Sequence, residues 1–539
     1  MYILSSLKKL DTFVYVMILL LPLVFLPFVS INFVLAKTVF ARSLILLFFL
    51  FWGLLLLKRN KINIPSALKD VTIVKSLVFL LTVLLISNLF SVAPKLSFWG
   101  GYFRMQGLYT YIHYFLFFFL VLFTFKKDSQ WKKANFCAFL IYIFLLFLSI
   151  LQFLGLDILF FQDFTNHGNR ISASFANPNF FAAFIVLLIF PVLAFLNKKR
   201  SFYIVLIILL SFFVLILTGS KGGIIGFVVG SLVYAFMNMK FLKDRKYLYF
   251  LGIIFALIFF VILAAPKINL LYRFDFNQEN LVSTNTRLQI WKDSLLMLED
   301  RPVVGFGLET FPVVFHKYAN LEKLNRDHLF GIIDKPHNTF IEILYSTGFV
   351  GLFVYIFIVL TVLNKSLKKL PSLSKKKKID LIAVISGITA FCVSNLFSFS
   401  VTVHFVFLSF YLAYLIYLIS DKNISLQVFK NNLYKKLSAF LLIFFVISSL
   451  VLNNVFYVLA DVHAKRGFEH LKLGNTNAVV DNFYKANLYN PNQSYYNYLL
   501  ASVFIEIEEI ELAKIYLENG ADFDSKEGDF YQFLSKKIY

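Results

Sequence analysis

Leu44–Leu57 reads LILLFFLFWGLLLL, and Ile204–Leu217 reads IVLIILLSFFVLIL. A helix built from either is apolar on nearly every face, so neither is the amphipathic surface helix of a soluble domain. Runs of this kind with eighteen or more apolar residues mark spanning helices, because about twenty residues cross the hydrocarbon of a bilayer. Runs of this kind predict about thirteen spans, near 12–30, 36–57, 72–90, 107–125, 134–155, 176–196, 201–217, 222–238, 247–265, 339–363, 379–397, 402–420 and 437–459. The expected fold class is therefore all-α, a polytopic membrane helical bundle. Composition agrees: of 539 residues 59% are apolar and 15% charged, with a mean hydropathy of +0.76. The first span, from about Phe13, is followed by no small-residue cleavage site and reads as a retained anchor.

The net charge of +22 would suggest nucleic acid in a soluble protein. Here its placement says otherwise, and no nucleic-acid partner is expected. Alternate connections are strongly basic: Lys58, Arg59, Lys61 and Lys69; Lys126, Lys127, Lys132 and Lys133; Lys365–Lys378; Lys422–Lys436. With the remaining segments of that set they hold about 28 Lys and Arg, against about five in the other short loops. By the positive-inside rule the basic set is cytoplasmic, as is the N-terminus. An odd number of spans then puts the C-terminus outside. The two cysteines, Cys137 and Cys392, lie within apolar runs and suggest no disulfide framework.

Residues 1–459 read as the transmembrane domain. Within it, 266–338 forms one long external loop, too rich in Trp291, Gly305, Gly307, His337 and mixed charge to be a flexible linker. Short helices such as Thr286–Glu299 are expected there. Residues 460–539 turn polar, with helical periodicity and a spacing of 34 residues. Gly467, Phe483, Ala486 and Pro491 fall at tetratricopeptide offsets, and Ala501 and Ala513 at those of a second copy. A soluble tetratricopeptide-like domain commonly binds peptide or a partner protein; the plainer alternative is an irregular helical hairpin.

Every even-numbered helix begins on the external side, where free N–H groups and the positive end of the dipole favour anions. Arg104 precedes the fourth. Asn177-Pro178-Asn179 opens the sixth, with Asn as cap and Pro at the first helical position. Gly219-Ser220-Lys221-Gly222-Gly223 opens the eighth. His337-Asn338-Thr339 opens the tenth, where Thr339 and Glu342 form a predicted capping box. Lys37 and Arg42 lie one to two turns into the second helix, from the same side. Cations so close to hydrocarbon are interfacial anchors or, where several converge, an anionic ligand site. His337 titrates in the range suited to proton transfer and stands out from His113, His167, His316, His328, His404, His463 and His470 by its place at a helix start. No metal is expected, since no Cys/His cluster has zinc spacing. No nucleotide cofactor is expected either, since no phosphate-binding loop of the nucleotide-hydrolase type occurs.

Arg287-x-x-x-Trp291, Arg301-Pro302, Gly305-Phe306-Gly307, His337-Asn338 and Gly348-Phe349-Val350-Gly351 resemble, in that order, the core of the O-antigen ligase and O-antigen polymerase superfamily. Upstream, Ser97–Gly107, Ser174–Asn179 and Thr218–Gly222 are also similar, so the resemblance runs from about 88 to 400. It implies a GT-C-like membrane glycosyltransferase that moves a glycan from a polyprenyl-diphosphate carrier to an acceptor on the external face of the cytoplasmic (inner) membrane. It implies no metal and no cofactor. The family's functional residues carry over to Lys221, Arg287 and His337. Lys221 departs from the family's arginine, keeping the charge but losing the bidentate fork. Arg104, Arg170, Asn177, Asn179, Arg301 and Asn338 complete the expected site as binders of diphosphate or glycan. Expected partners are the polyprenyl-diphosphate-linked donor, a lipid or protein acceptor, the bilayer, and a protein engaged by the C-terminal repeats. The alternatives are a polysaccharide polymerase and, from another class, a lipid-linked glycan flippase. A transporter lines a path across the membrane with polar groups, whereas these gather on one side.

Overall fold

The computed structural model describes residues 10–69, 71–156, 170–196, 201–243, 250–257, 259, 278–319, 333–421, 423–428 and 432–524. In chain order the helices are α1 (Asp11–Leu20), α2 (Val34–Arg59), α3 (Val71–Leu89), α4 (Pro94–Trp99), α5 (Leu108–Thr124), α6 (Asp128–Phe153) and α7 (Pro178–Phe195). They continue as α8 (Ser201–Thr218), α9 (Lys221–Leu242), α10 (Gln278–Leu296), α11 (Phe311–Phe315), α12 (Thr339–Lys369), α13 (Lys375–Ser394) and α14 (Thr402–Ile419). Last come α15 (Asn432–Leu450), α16 (Phe456–Lys472), α17 (Thr476–Tyr489), α18 (Ser494–Glu506) and α19 (Ile510–Asp524). Among the described residues seven helices are long and apolar enough to cross a membrane, and shorter apolar helices accompany them. The protein is an all-α multi-pass membrane protein. Helices stand at twelve of the thirteen predicted spans; the ninth, 247–265, is helical over 250–257 and otherwise lies mostly outside the described residues.

The first span is shorter than 12–30. Helix α1 ends at Leu20 because Pro22 brings no N–H to continue the ladder. The carbonyls so released are taken by the buried Lys37, whose Nζ donates to Pro22 O at 2.9 Å and Val24 O at 2.7 Å. Unpaired backbone at membrane depth has to be satisfied within the protein.

Helix α7 is the hub. It is buried on nearly all faces, as an all-round apolar helix must be. Helix α13 packs against it and against α9. The seam between α9 and α13 runs along Gly222, Gly226 and Gly230, one every fourth residue: a Cβ on Gly226 would lie 2.5 Å from Ala390 O, and one on Gly230 2.6 Å from Ala390 Cβ. Small residues at this spacing let two membrane helices approach backbone to backbone. Helix α12 is kinked at Gly348, whose φ of 66° leaves the helical region. Phe349 N instead donates to Pro302 O at 2.8 Å, which ties the 301–307 loop to the bundle.

At the opposite end of the bundle the chain departs from all-α. Lys61–Pro65 and Asn423–Gln427 pair as a two-stranded antiparallel ribbon, Asn63 opposite Ser425. Lys126 Nζ donates to Asn63 O at 2.6 Å, and Lys369 pairs with Asp421. Four of the basic connections thus share this end.

The predicted boundary at 459/460 is no linker. Helix α15 continues through a π-helical turn, Val451–Val455, into α16. Helices α16–α19 form two hairpins, and α17 and α19 begin 34 residues apart, at Thr476 and Ile510. Gly467 faces Phe483 across the first hairpin, while Ala501 and Ala513 are buried in the second. Residues 525–539 of the predicted domain lie outside the described residues.

Candidate functional site

The turn 395–401 between α13 and α14 is where the helix starts meet. Thr339 N, opening α12, donates to Asn395 O at 3.0 Å. Gly222, opening α9, lies so close that a Cβ would be 2.9 Å from Phe397 Cβ. Phe180, in the first turn of α7, packs edge-on to Phe399 at 5.0 Å. Helix α14 begins from the turn itself. Four positive dipole ends therefore surround one short segment. The starts of the sixth, eighth, tenth and twelfth predicted spans thus come together at one end of the bundle.

Onto this turn come the charged side chains. The Arg104 guanidinium lies 4.9 Å from the Phe399 ring centroid and 5.7 Å from that of Phe180, and pairs with Asp334. The His337 ring stands 5.3 Å from Phe399 on the same turn. Burial raises the Asp334 carboxyl, but Arg104, followed by His337 and Lys335, outweighs it and holds the group below the usual carboxylate range. His337 thus has a carboxylate within electrostatic reach. Its φ of 54° is left-handed, a conformation that costs about 1–3 kcal/mol and persists only where the surroundings impose it. They do so on both sides: Trp291 Nε1 donates to Pro336 O at 2.9 Å, and Asn338 is locked as the cap of α12. Of the eight non-glycine residues with positive φ among the described residues, Met105, Ala173, Ala176, Glu309 and His337 lie at this end.

Beneath the segment sits a buried charge cluster. Lys335 Nζ lies 2.6 Å from Glu309 Oε1 and also pairs with Glu342. Burial pulls the ammonium down, yet the two carboxylates outweigh it and hold it well above its ordinary value. This corrects the capping box expected of Thr339 and Glu342. The cap is Asn338, whose Oδ1 accepts from Phe340 N at 2.9 Å and Ile341 N at 3.3 Å. Asn outranks Thr at that position, and Glu342 is drawn to a buried cation instead.

The other expected residues divide. Arg287 Nη1 donates to Phe397 O at 3.3 Å, which brings it to the turn. Lys221 is the exposed first residue of α9, behind its cap Ser220. Arg170 joins the end of α8 to the start of α7, with Nε to Thr218 O at 2.8 Å and Nη2 to Asn179 Oδ1 at 3.1 Å. Asn177 caps α7 as expected, accepting from Asn179 N at 2.8 Å. Arg301 is held elsewhere: it donates to Phe90 O at 2.7 Å and lies over Phe306. Lys37 and Arg42 are struts. Lys37 is committed to the carbonyls beyond α1, and Arg42 to Thr110 and, at 3.2 Å, to Met105 O. His167 and His328 lie outside the described residues.

Sequence reasoning missed Asp334, the Lys335 cluster, Phe180 and the pair Phe397 and Phe399. One signal was available. The alternation Phe397-Ser398-Phe399-Ser400 in a turn between two apolar helices presents aromatic rings where a connection is normally polar.

Residues 206–356 match the family described as O-Antigen ligase. That stretch includes Lys221, Arg287, Arg301, His337 and Asn338; Arg104, Arg170, Asn177 and Asn179 precede it. A curated relative described as a ComP-specific O-oligosaccharyltransferase, from Acinetobacter baylyi, is 26% identical over 294 residues, 52% of this chain and 50% of its own length. An uncharacterised protein of Haemophilus influenzae is 24% identical over 183 residues, 32% of this chain and 45% of its own. The chain thus spans about half the length of the curated relatives it matches. With the multi-pass helical fold, these matches bear out the resemblance to the O-antigen ligase superfamily. At the level the matches reach, the chain is similar to membrane proteins of the O-antigen ligase type.

Proposed function

We propose that the protein transfers a glycan from a polyprenyl-diphosphate carrier to an acceptor hydroxyl on the external face of the cytoplasmic membrane. The observation that carries this reading is the convergence of His337, Arg287, Arg104 and four helix N-termini on the turn 395–401. Direct displacement needs a base at the acceptor and positive charge at the leaving group, strengthening as the bond breaks. His337 takes the proton from the acceptor hydroxyl as its oxygen bonds to the anomeric carbon. The bond from that carbon to the diphosphate oxygen breaks, and its electron pair leaves on the carrier. Inversion at the sugar follows. Arg287 and Lys221, with the N–H groups opening α7 and α9, face the developing charge. Asp334 favours the imidazolium that His337 becomes.

The direction across the membrane rests on the basic ribbon end, which by the positive-inside rule faces the cytoplasm. The site end and helices α16–α19, a tetratricopeptide-like unit in this reading, then face outside. A relative described as an O-oligosaccharyltransferase specific for ComP supports O-linked transfer to a specific acceptor, ahead of lipid or growing polysaccharide. Purified protein given a polyprenyl-diphosphate oligosaccharide is expected to release carrier diphosphate only when acceptor is present. Release at the same rate without acceptor means hydrolysis, and no release at all overturns the transferase reading.

A further inference from the structure

Gly100-Gly101-Tyr102-Phe103-Arg104-Met105-Gln106-Gly107 forms a closed loop between α4 and α5. Its ends touch: a Cβ on Gly107 would lie 2.3 Å from Gly100 N. Neighbouring residues of this loop reach different bodies. Arg104 goes to Asp334, Phe180 and Phe399 at the candidate site. The carbonyl of Met105 is held by Arg42 Nη2 and by Thr110 Oγ1 at 2.6 Å. Tyr102 points the other way, into the C-terminal helices. Its hydroxyl donates to Asp461 Oδ1 of α16 at 2.5 Å. Its ring stacks on Tyr495 of α18 at 4.1 Å, with the planes 20° apart, and meets Tyr496 edge-on at 5.6 Å. Phe103 packs on Tyr495 as well, at 5.4 Å. Asp461 is fully buried, and its second oxygen accepts from Ile31 N at 3.1 Å, so its carboxylate has one fixed orientation.

Two residues of chain extend at most about 7 Å. A shift of α16 and α18 that moves Tyr102 is therefore passed to Arg104 with little slack, since the loop is pinned at both ends and at Met105. From Arg104 it reaches Asp334, three residues before His337. We infer that Tyr102 is a positioning residue, through which the C-terminal helices set Arg104 and the Asp334–His337 segment. The helical domain is then part of the site's geometry, and this loop is one path by which anything docked on it acts on the site. The activity arm of the test below rests on the transferase reading; the structural arm does not.

The experiment uses the full chain in detergent or nanodiscs. Tyr102→Phe is expected to lower kcat/KM for transfer about tenfold, the weight of a buried hydrogen bond to a charged group. In an Arg104→Ala background the same change adds less than about twofold, because both act along one path. Asp461→Asn keeps one acceptor oxygen for the phenol proton but turns an NH2 donor on Ile31 N, so it restores only part of what Asp461→Ala loses. Independently, Tyr102→Phe raises deuterium uptake at 334–338 while α17 and α18 stay protected. Multiplicative effects of Tyr102→Phe and Arg104→Ala overturn the inference. So does unchanged exchange at 334–338, or exchange that rises throughout α17 and α18, which marks a purely structural role. Should the wild type transfer no glycan, the exchange arm decides alone, so failure of the activity reading leaves a different trace.

Discussion

The two ends of the bundle both carry cations, and they hold them in opposite ways. At the ribbon end Lys369 pairs with an Asp421 that is 76% exposed, and Lys126 reaches over the surface to Asn63 O. At the site end Lys37, Arg42 and Lys335 are each no more than 5% exposed, and each is met by carbonyls, a hydroxyl or carboxylates. Water and lipid headgroups solvate the first set, which needs no fixed geometry. The second set has left water, so every charge must be met by protein. What matters at the ribbon end is how many cations there are; at the site end it is where each one stands. That difference can be broken by substitution, with effects that fall from the site to the ribbon.

The largest effect is expected at His337. Removing a general base costs roughly 10²–10⁴-fold in rate, so His337→Ala should reduce carrier release to that extent while leaving the melting temperature near that of wild type. Retention of full transfer would remove His337 from the chemistry. It would leave the site end as a purely architectural cluster.

Next comes the buried cluster itself. Lys335→Met strands Glu309 and Glu342 without their cation, and breaking such a pair costs about 3–5 kcal/mol. Thermal unfolding in detergent should show it as a large fall in Tm. The pH dependence follows from the raised ammonium: a group whose folded pKa lies above its ordinary value stabilises fully below that value, 10.5, and stops doing so as pH rises through the folded pKa. The gap in Tm between wild type and variant should therefore persist up to about pH 9 and narrow toward acid pH, where Glu342 takes up a proton and no longer strands a charge in the variant. A gap that closes as pH rises from about 7 to 9 would mean that the lysine is not the cation of this cluster.

The seam that carries α9 to the site gives a smaller effect. Gly226→Ala puts a methyl 2.5 Å from Ala390 O, an overpacking expected to cost about 1–3 kcal/mol. Gly252 meets nothing within 4 Å, so Gly252→Ala should stay within about 0.5 kcal/mol. Equal losses at both would show that the seam is not the tight contact between α9 and α13.

The sequence carried the bundle well because membrane helices announce themselves through hydropathy, and α7 or α8 needs no context to be read. It carried the helix starts too: Asn177 and Ser220 cap where they stand, since capping is decided within four residues. Legibility ended where partners are distant in sequence. Asp334 is 230 residues from Arg104, and no spacing rule links them. The error at Thr339 and Glu342 has the same origin. A local capping box is a sound prior, but Lys335 offered Glu342 a buried opposite charge, and a desolvated ion pair outcompetes a cap. The ribbon was missed because Lys61–Pro65 alternates for only five residues, and its partner strand lies across the whole membrane domain. Lys37 and Arg42 were legible as unusual; that they meet carbonyls and a hydroxyl was not.

The smallest effect is expected where the comparison began. Lys369→Ala removes an ion pair whose acidic partner is 76% exposed, and such pairs are worth at most about 1 kcal/mol. Its Tm should be indistinguishable from wild type, and salt should not separate the two. The ribbon end acts through number, so replacing Lys375–Lys378 together with Ser should leave Tm almost as unmoved yet weaken the orientation bias. Cysteine labelling from the outer side, at an exposed position such as Leu473, reads this directly: full labelling in wild type, a reduced fraction in the fourfold variant. Full labelling in both would mean that the remaining basic connections suffice. No labelling in wild type would turn the whole molecule over and put the site end in the cytoplasm, where the proposed transfer to an external acceptor has no substrate to reach.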